Sequence, residues 1–560
     1  MIMPYQNTMR PAFLILSMCL VLVGMYGQNT VGTIAYNPDL FTDGYTLIYP
    51  HNQHRAMLLN GCGEVVHQWE MDSLRRPGNT CYLQPDGDII ITSRPASAGN
   101  ATIWAGGAGE TIERRTWDND VIWSYTTESD SLRLHHDMTV TPNGHVIAIC
   151  WEAIDSLECI ENGRNPALLE AGVLWSDKLI ELQPNGNGGA DVVWEWRAWD
   201  HLVQDFDSTK LNFGVVADHQ NKIDVNFGSV SSQPADWLHM NSIDYYPFYD
   251  SAGQIVVSIP TFNEVWTIWH DWSFSDDLIW RWGNPIAYDR GDSSDQQLFY
   301  QHDIHWGNGP SVQPGNPDFV KFFVFNNRVP DSLGTHSEAA IINPIFDEYE
   351  GGYEFDETTG RWGPETFEWT YTQPGLSSSG LSSFQRLGNG NNLICSGRTG
   401  EIFELTEDAE LAWQYRTPLL GGAPVEQGVE LSMNQNLTFR AERYPANFAA
   451  FEDHDLSSGT VIEVNPVPLE ICVPNVGLGK EVALEFSLHP NPTNGPVILQ
   501  LEQWEGVDVR LFDFSGRQVF ARQILGQYTP FDLSNLAKGT YFLKVQSAQG
   551  QGVQRIVVLQ

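Results

Sequence analysis

Three histidines stand at the start of apolar runs, and their type and spacing could do chemistry. They lie in three short words: His-His136-Asp, Trp-Leu-His239-Met-Asn-Ser and Gln-His302-Asp. A neutral imidazole is a competent nucleophile near pH 7, and a second imidazole can donate or accept a proton. Matching places in successive repeats predict one shared site. Three imidazoles are also a common metal-ligand set, and the residue types alone leave that alternative open.

The elements that must position these residues form a repeat. Each unit has two short apolar strands separated by a turn with Gly, Asn or Asp, and the second strand ends at a tryptophan: Trp69, Trp123, Trp196, Trp282, Trp369 and Trp413. A meander of about four strands in six copies predicts an all-β, six-bladed β-propeller. The first unit is one strand short, and a strand near Asn436–Arg440 is expected to complete it and close the ring. The innermost strands of a propeller line one channel, so the three histidines would converge there.

Composition agrees with an exported all-β protein. The chain has 560 residues and 20 Trp, 18% of its residues are charged, and its formal net charge is −40. So acidic a chain is not expected to bind nucleic acid, which needs clustered Lys and Arg. The acidity suits a solvated surface in secretion or a saline medium.

The order of segments predicts four parts. Residues 1–27 read as a signal peptide, 28–451 as the propeller, 452–480 as a linker and 481–560 as a small β-sandwich. No later stretch approaches transmembrane length, so stable membrane insertion is not expected. Six cysteines remain after the leader, and Cys150 and Cys159 are the easiest to pair across a short loop. Their spacing does not indicate a zinc site.

The tail carries three words in order: Leu-His-Pro-Asn-Pro-Thr-Asn-Gly495, Val-Arg-Leu-Phe-Asp-Phe-Ser-Gly516 and Leu-Ala-Lys-Gly-Thr-Tyr541. Together they resemble the C-terminal sorting domain of the type IX secretion system of Bacteroidota. The resemblance implies export by the signal peptide and then passage across the outer membrane through the type IX machinery. The protein would be released or held at the cell surface.

The histidine words and the Trp-ended units over roughly residues 30–450 resemble the bacterial arylsulfotransferase family. That resemblance implies transfer of a sulfuryl group from an aryl sulfate to a phenolic acceptor by a ping-pong route, with no cofactor and no metal. His302 matches the family's nucleophile, through which a sulfohistidine would form. His239 and His136 match the two assisting histidines. One would exchange protons with the phenols, and the other would stabilise the sulfuryl oxygens.

One family feature is missing from this chain. The resemblance implies an arginine in the strand after the second histidine word, and Pro260 falls there. Substitute groups for the sulfuryl oxygens are predicted at Asn241, Asn263, Arg328 and Arg386, with Arg440 as a further cation. The departure also leaves open a second hypothesis, a catalytically altered or inactive propeller that binds a surface glycan, a phenolic compound or a protein.

Overall fold

A computed structural model describes residues 29–559, apart from short internal gaps. These gaps are residues 100, 128, 229–234, 250–251, 271–276, 308, 310–311, 348–350, 474–481, 484–485, 502–506, 514–515, 525 and 548–549. The predicted signal peptide therefore lies outside the described residues. The chain divides into two compact units, one up to Leu469 and the other from Glu470. This division falls inside the stretch predicted as a linker.

The described part of the first unit contains six antiparallel sheets of four or five strands, numbered here in chain order. Sheet 1 is Gly44–Pro50, Arg55–Leu59 and Val65–Glu70, with Thr438–Pro445 on its first edge. Sheet 2 is Arg75–Leu83, Ile89–Pro95, Thr111–Arg115 and Val121–Thr126. Sheet 3 is Leu132–Val140, Val146–Asp155, Val173–Pro184 and Ala190–Arg197. Sheet 4 is Ser242–Tyr249, Ala252–Ile259, Glu264–His270 and Leu278–Trp282. Sheet 5 is His302–Trp306, Phe322–Asp331, Gly334–Ile342 and Trp369–Tyr371. Sheet 6 is Ser383–Arg386, Asn392–Ser396, Glu401–Leu405 and Leu411–Arg416, with Gly32–Tyr36 on its last edge.

The order of these strands follows from the repeat in the sequence. Each sheet is a meander in which strands adjacent in the chain pair with one another, as short turns between alternating strands require. The six tryptophans that end the units all lie in the last strand of a sheet. Thr438–Pro445, near the end of the first unit, pairs with Gly44–Pro50 and so completes sheet 1. A second such pairing, of Gly32–Tyr36 with Leu411–Arg416, was not predicted from the sequence.

One strand of each sheet contacts its counterpart in the next sheet. These inner strands are Arg75–Leu83, Leu132–Val140, Ser242–Tyr249, His302–Trp306, Ser383–Arg386 and Thr438–Pro445. Their contacts run in that order from sheet to sheet, and Thr438–Pro445 contacts Arg75–Leu83 in turn. The apolar core lies between neighbouring sheets, and each of its clusters draws side chains from two of them.

The remaining elements of the first unit are short. The described residues include one α-helix, Ser156–Glu161, whose N-terminus is capped by the Asp155 carboxylate. The 3₁₀ turns are Pro166–Leu168, Ala198–Asp200, Val216–Asp218, Pro285–Tyr288 and Ala449–Phe451. Two-stranded ladders join Leu202–Val203 with Ile223–Asp224, Phe346–Asp347 with Gly352–Tyr353, Phe355–Asp356 with Arg361–Trp362, and Leu419–Leu420 with Ala423–Pro424.

The second unit begins with the 3₁₀ turn Glu470–Cys472 and contains two sheets. One has the strands Val482–Ala483, Gly550–Val558, Gly539–Ser547, Asp508–Asp513 and Gln518–Gln523. The other has Phe486–His489, Pro496–Leu501 and Tyr528–Asp532. The two sheets share one apolar core.

The predicted pairing of Cys150 with Cys159 is wrong, because both are free, buried thiols. Cys150 packs with Ala148 in the core between sheets 2 and 3. Cys159, on the helix, packs with Ile149 in the core between sheets 3 and 4. Alternation along the strand Val146–Asp155 directs Cys150 and Ile149 to opposite faces of sheet 3, and Cys159 packs on the Ile149 face, so the two sulfurs lie on opposite sides of the sheet. Cys62 and Cys472 each take part in a disulfide bond. Among the described residues, no helix is long and apolar enough to cross a membrane.

Candidate active site

The three predicted histidines lie together at one end of the inner strands. The ring centroids of His136 and His239 are 4.6 Å apart. His302 shares Phe439 with His136, at 6.3 Å and 6.2 Å between centroids. It also shares Tyr300 with His239, at 6.1 Å and 6.3 Å. The side chains that the sequence placed on three separate repeats therefore face one small volume.

His302 is held as a neutral ring with one nitrogen free. Its Nδ1 lies 2.8 Å from Oδ1 of Asn327. The amide orientation of Asn327 is fixed, because its Nδ2 donates to the carbonyl oxygens of Ser378 and Leu381 at 2.7 Å and 3.0 Å. Oδ1 must then accept, so Nδ1 of His302 carries the proton and Nε2 keeps its lone pair. Burial lowers the pKa of His302 to about 3, which keeps that lone pair available at neutral pH.

His239 has the opposite electrostatic setting. Its Nδ1 donates to Oδ2 of Asp236 at 2.5 Å. Burial opposes the charged ring, but the Asp236 carboxylate and then Asp177 outweigh burial and raise the pKa of His239 above its ordinary value. The raised pKa increases the share of imidazolium near neutral pH above that of a free histidine, and the imidazolium carries an Nε2 proton that is not bonded to Asp236. Tyr300 contacts both this ring and the neutral His302 ring.

His136 ends a short chain of buried polar groups. Nε2 of His135 lies 2.9 Å from Oδ1 of Asp177 but forms no hydrogen bond with it. Nδ1 of His135 and Nδ1 of His136 are 2.8 Å apart, so one of the two rings donates to the other. Burial lowers the pKa of His136 well below its ordinary value, which favours the neutral ring. A neutral imidazole can accept a proton from a phenol.

The backbone around the site is kinked where the histidines enter. Asn79, His136, His239, Asp303 and Leu381 all have a positive φ, between 52° and 110°. Asn79 and His136 lie at bulges within inner strands, and the other three lie at or just before the start of one. Such values are costly for residues other than glycine, and they cluster at sites where function fixes a side-chain direction. Close packing fixes His136 further, since a methyl group added at Gly107 would lie 2.0 Å from its Cε1.

Two of the predicted substrate-binding residues flank Tyr300. The Arg328 guanidinium lies 3.6 Å over the Tyr300 ring, and its Nε donates to the Ser379 carbonyl oxygen at 2.8 Å. A bulge after Asn326 in the second strand of sheet 5 directs Arg328 there. Oδ1 of Asn263 accepts from the Tyr300 backbone N–H at 2.8 Å. Asn263 thus supports the aromatic residue that contacts both His239 and His302.

The other two predicted binders are occupied elsewhere. Nδ2 of Asn241 donates to the Gln301 carbonyl oxygen at 2.7 Å, and its side chain is fully buried. Arg386 lies at the far end of its strand, where its Nε is 3.1 Å from Oδ2 of Asp318 and its guanidinium is 5.0 Å over Trp369. The Asn241 hydrogen bond holds Gln301, the residue before His302. The Arg386 contacts link sheet 6 to sheet 5.

Sequence reasoning missed Arg398. It lies in the turn Ser-Gly-Arg398-Thr-Gly between the second and third strands of sheet 6. A methyl group added at Gly380 would lie 3.2 Å from its Nη2 and 3.6 Å from Cε1 of His302. The available signal was an arginine between two glycines in a tight turn, which allows close backbone approach. Gly397 makes that approach, with no room for a side chain beside Thr438 and Leu381.

Below the histidines, Arg440 closes the space between the inner strands. Its Nε lies 2.6 Å from Asp303 and its Nη2 lies 2.8 Å from Asp137, so this cation is already paired with two carboxylates. A cavity of about 490 Å³ lies beyond it, lined by residues that include Asp244 and Glu442. None of the three site histidines lines that cavity.

In chemical terms, the site joins three buried imidazoles, one of them beside a carboxylate, with two nearby guanidiniums. Groups of these types can exchange protons and bind an anion. Within the described part of the chain, no group of three or more His, Cys, Asp or Glu is placed to hold a metal ion.

Comparison with known families gives two matches. The family model described as arylsulfotransferase (ASST) matches residues 99–418, which is more than half of the chain. The model described as a secretion system C-terminal sorting domain matches residues 487–559. This tail indicates secretion to the cell surface or the extracellular space by the type IX system. No curated protein matches the chain significantly.

Solved structures resemble the chain only distantly. A protein of unknown function from Bacteroides caccae has 9% identity and a TM-score of 0.37, covering 72% of this chain and 99% of its own. A streptogramin B lyase has 10% identity and a TM-score of 0.32, covering 74% and 94%. A β-fructofuranosidase of Bombyx mori has 8% identity and a TM-score of 0.27, covering 94% and 90%.

Proposed function

The chain belongs to the arylsulfotransferase family, and on that premise we propose that it transfers a sulfuryl group from an aryl sulfate to a phenolic acceptor through a sulfohistidine on His302. The observation that carries the proposal is the complementary protonation of two adjacent rings. Asn327 fixes His302 as a neutral ring with Nε2 free, while Asp236 favours the protonated form of His239. A nucleophile and an acid in these states can act at the same pH.

In the first half-reaction, Nε2 of His302 attacks the sulfur of the donor. The N–S bond forms as the bond from sulfur to the aryl oxygen breaks, and the electron pair leaves with the aryloxide. His239 gives its Nε2 proton to that oxygen, so the donor departs as a phenol. The positive charge that develops on the His302 ring is stabilised by the Asn327 oxygen, which accepts from Nδ1.

In the second half-reaction, an acceptor phenol attacks the same sulfur. Its proton passes to His239, which lost a proton in the first half-reaction, and His136 lies in the same volume to assist. The N–S bond breaks and its electron pair returns to Nε2 of His302. The product is a new aryl sulfate, and the enzyme regains its starting state without a cofactor.

The proposed architecture is a six-bladed propeller with the site at the channel end. Support comes from the six meander sheets and from the inner strands, whose contacts lead from sheet to sheet and return to the first. Two pairings between strands near the start and the end of the first unit would close such a ring. They join Gly32–Tyr36 with Leu411–Arg416 and Gly44–Pro50 with Thr438–Pro445. The two sheets of the second unit would form the proposed sorting sandwich, which the type IX machinery would recognise.

A binding protein without transferase activity is the second candidate, and Pro260 favours it. The proline is buried in a turn where the family resemblance places an arginine, and Asn263 N–H donates to its carbonyl oxygen at 3.2 Å. Such a protein would keep the pocket and hold a phenolic compound, a glycan or a protein ligand there.

Acceptor-dependent release of a coloured phenol tests the proposal. The full chain is incubated with 4-nitrophenyl sulfate, with and without phenol, and the transfer product phenyl sulfate is measured by mass. We expect release that depends on phenol and is abolished in His302→Ala. The His305→Ala variant, on the same strand, is a control for folding, since His305 packs on Phe323 outside the site. Absence of release from a folded protein favours the binding candidate.

A further inference from the structure

We propose that Arg398, together with Arg328, forms the oxyanion-binding pair of this site. The pair would take the place of the arginine that the family resemblance implies at the position of Pro260. The pair would bind the oxygens of a sulfate monoester beside His302. The catalytic part of this inference rests on the proposed transfer, whereas the binding of an oxyanion does not.

The space between Arg398 and His302 is the first observation. Gly380 has no side chain, and the position its Cβ would take lies 3.2 Å from Nη2 of Arg398 and 3.6 Å from Cε1 of His302. The guanidinium and the edge of the imidazole therefore face one gap of atomic size. Cε1 neighbours the free Nε2, so a group bonded to Nε2 would come within reach of the guanidinium.

The second observation is that Arg398 is buried in part but incompletely paired. Nη1 donates to Oδ1 of Asn434 at 3.0 Å. Nε is buried and has no acceptor among the described residues. Within the described residues Arg398 forms no ion pair with a carboxylate, in contrast to Arg440 and Arg443. A buried guanidinium N–H without an acceptor is costly, and an anionic ligand would satisfy it.

The turn that carries Arg398 is rigidly placed. The Arg398 backbone N–H donates to Oγ of Ser378 at 3.2 Å, and its carbonyl oxygen accepts from Asn434 N–H at 2.7 Å. Gly397 packs against Thr438 and Leu381 with no space for a side chain. These contacts fasten the turn to the entry of two inner strands, so the guanidinium is held in position before a ligand arrives.

Arg328 supplies the second guanidinium from sheet 5. It stacks on Tyr300, whose ring is 6.1 Å from His302 and 6.3 Å from His239. The charge of Arg328 also lowers the pKa of Arg398, after the larger effect of burial, because the two cations are close. Two like charges held together in a protein of net charge −40 are an arrangement that an anion would stabilise.

Binding of inorganic sulfate to the full chain, followed by isothermal titration, tests the pair directly. We expect wild-type protein and His302→Ala to bind sulfate, and Arg398→Gln to bind it about 10- to 100-fold more weakly, as loss of a charged hydrogen bond implies. Arg398→Lys should recover part of the loss. Arg416→Gln is the matched control. Arg416 lies in the strand Leu411–Arg416 of the same sheet and donates to the Leu431 carbonyl oxygen.

Gly380→Ala provides a test that removes no charge. The added methyl group would occupy the gap between Arg398 and His302, so sulfate affinity should fall although both arginines remain. Wild-type protein that does not bind sulfate, or folded Arg398→Gln and Gly380→Ala proteins that bind it like wild type, would overturn the inference. Sulfate binding that depends on Arg398 in a protein without phenol transfer would instead leave the anion site standing and refute the transferase.

Discussion

At the scale of single residues, the site is set by partners that fix protonation. The sequence identified His136, His239 and His302, because each starts an apolar run in a repeat. It could not identify Asn327, since the Asn327–His302 contact depends on the bulge that follows Asn326. Arg398 was hidden for a similar reason, because it reaches His302 from a turn of another sheet. Local sequence patterns predicted that the three histidines share one site, and tertiary contacts determine the surroundings of each ring.

The Asp236–His239 pair leads to a prediction about alkaline pH. Asp236→Asn removes the carboxylate that raises the pKa of His239, so the imidazolium should lose its proton at lower pH. The alkaline limb of the kcat/KM profile for 4-nitrophenyl sulfate should move to lower pH, while the acid limb stays in place. A profile identical to that of wild type would show that His239 is not the acid.

Asn327 leads to the opposite prediction on the acid side. Asn327→Asp places a carboxylate on Nδ1 of His302 and should raise the pKa of that ring from about 3. Protonated His302 has no free Nε2, so the acid limb of the same profile should move to higher pH. Asn327→Leu separates the effects, because it removes the acceptor without adding charge. An unchanged acid limb in Asn327→Asp would contradict the role given to His302.

At the scale of elements, acidic side chains join neighbouring inner strands. Asp137 accepts from the Ile243 N–H at 3.2 Å, Asp244 from Trp306 N–H at 2.9 Å, and Asp303 from Phe384 N–H at 2.8 Å. Each bond links one sheet to the next directly beneath the site. The alternation of residues within one strand could not show that the backbone N–H bonded by each carboxylate lies in another sheet.

Asp244 offers a test of these links. Its carboxylate also accepts from Thr139 Oγ1 at 3.1 Å, so it joins three sheets. Asp244→Ala leaves a buried N–H without an acceptor and should lower the free energy of unfolding by about 1–3 kcal/mol. Asp244→Asn keeps an acceptor and should cost less. Burial raises the pKa of Asp244 to about 6, so the measurement by urea unfolding is made at pH 8, where the carboxylate is charged. Equal stability of Asp244→Ala and wild type would refute the link.

At the scale of the whole molecule, the fold depends on pairing between distant parts of the chain. The periodicity of Trp-ended units predicted the meander sheets and the completing strand near residues 436–440. It missed Gly32–Tyr36, because five residues without a repeat partner carry no periodic signal. The cysteine pairing failed at this scale too, since sequence distance cannot show that two thiols face opposite sides of a sheet.

Removal of the completing strand should therefore affect the entire first unit. A chain that ends at residue 437 lacks Thr438–Pro445, exposes the edge of Gly44–Pro50 and loses the buried Arg443–Glu404 pair. We expect loss of cooperative thermal unfolding, measured by near-UV circular dichroism. A chain that ends at Val473 keeps both the strand and Cys472, and it should unfold cooperatively. Cooperative unfolding of the shorter chain would show that the sheets do not depend on one another.

The most direct test of the central claim is the intact mass of the protein after rapid mixing with 4-nitrophenyl sulfate and an acid quench without acceptor. We predict the added mass of one SO₃ group, mapped by peptide fragmentation to His302. The adduct should disappear on addition of phenol and should not form in His302→Ala. A folded, phenol-transferring protein that never carries this adduct, or that carries it on another residue, would contradict the sulfohistidine on His302.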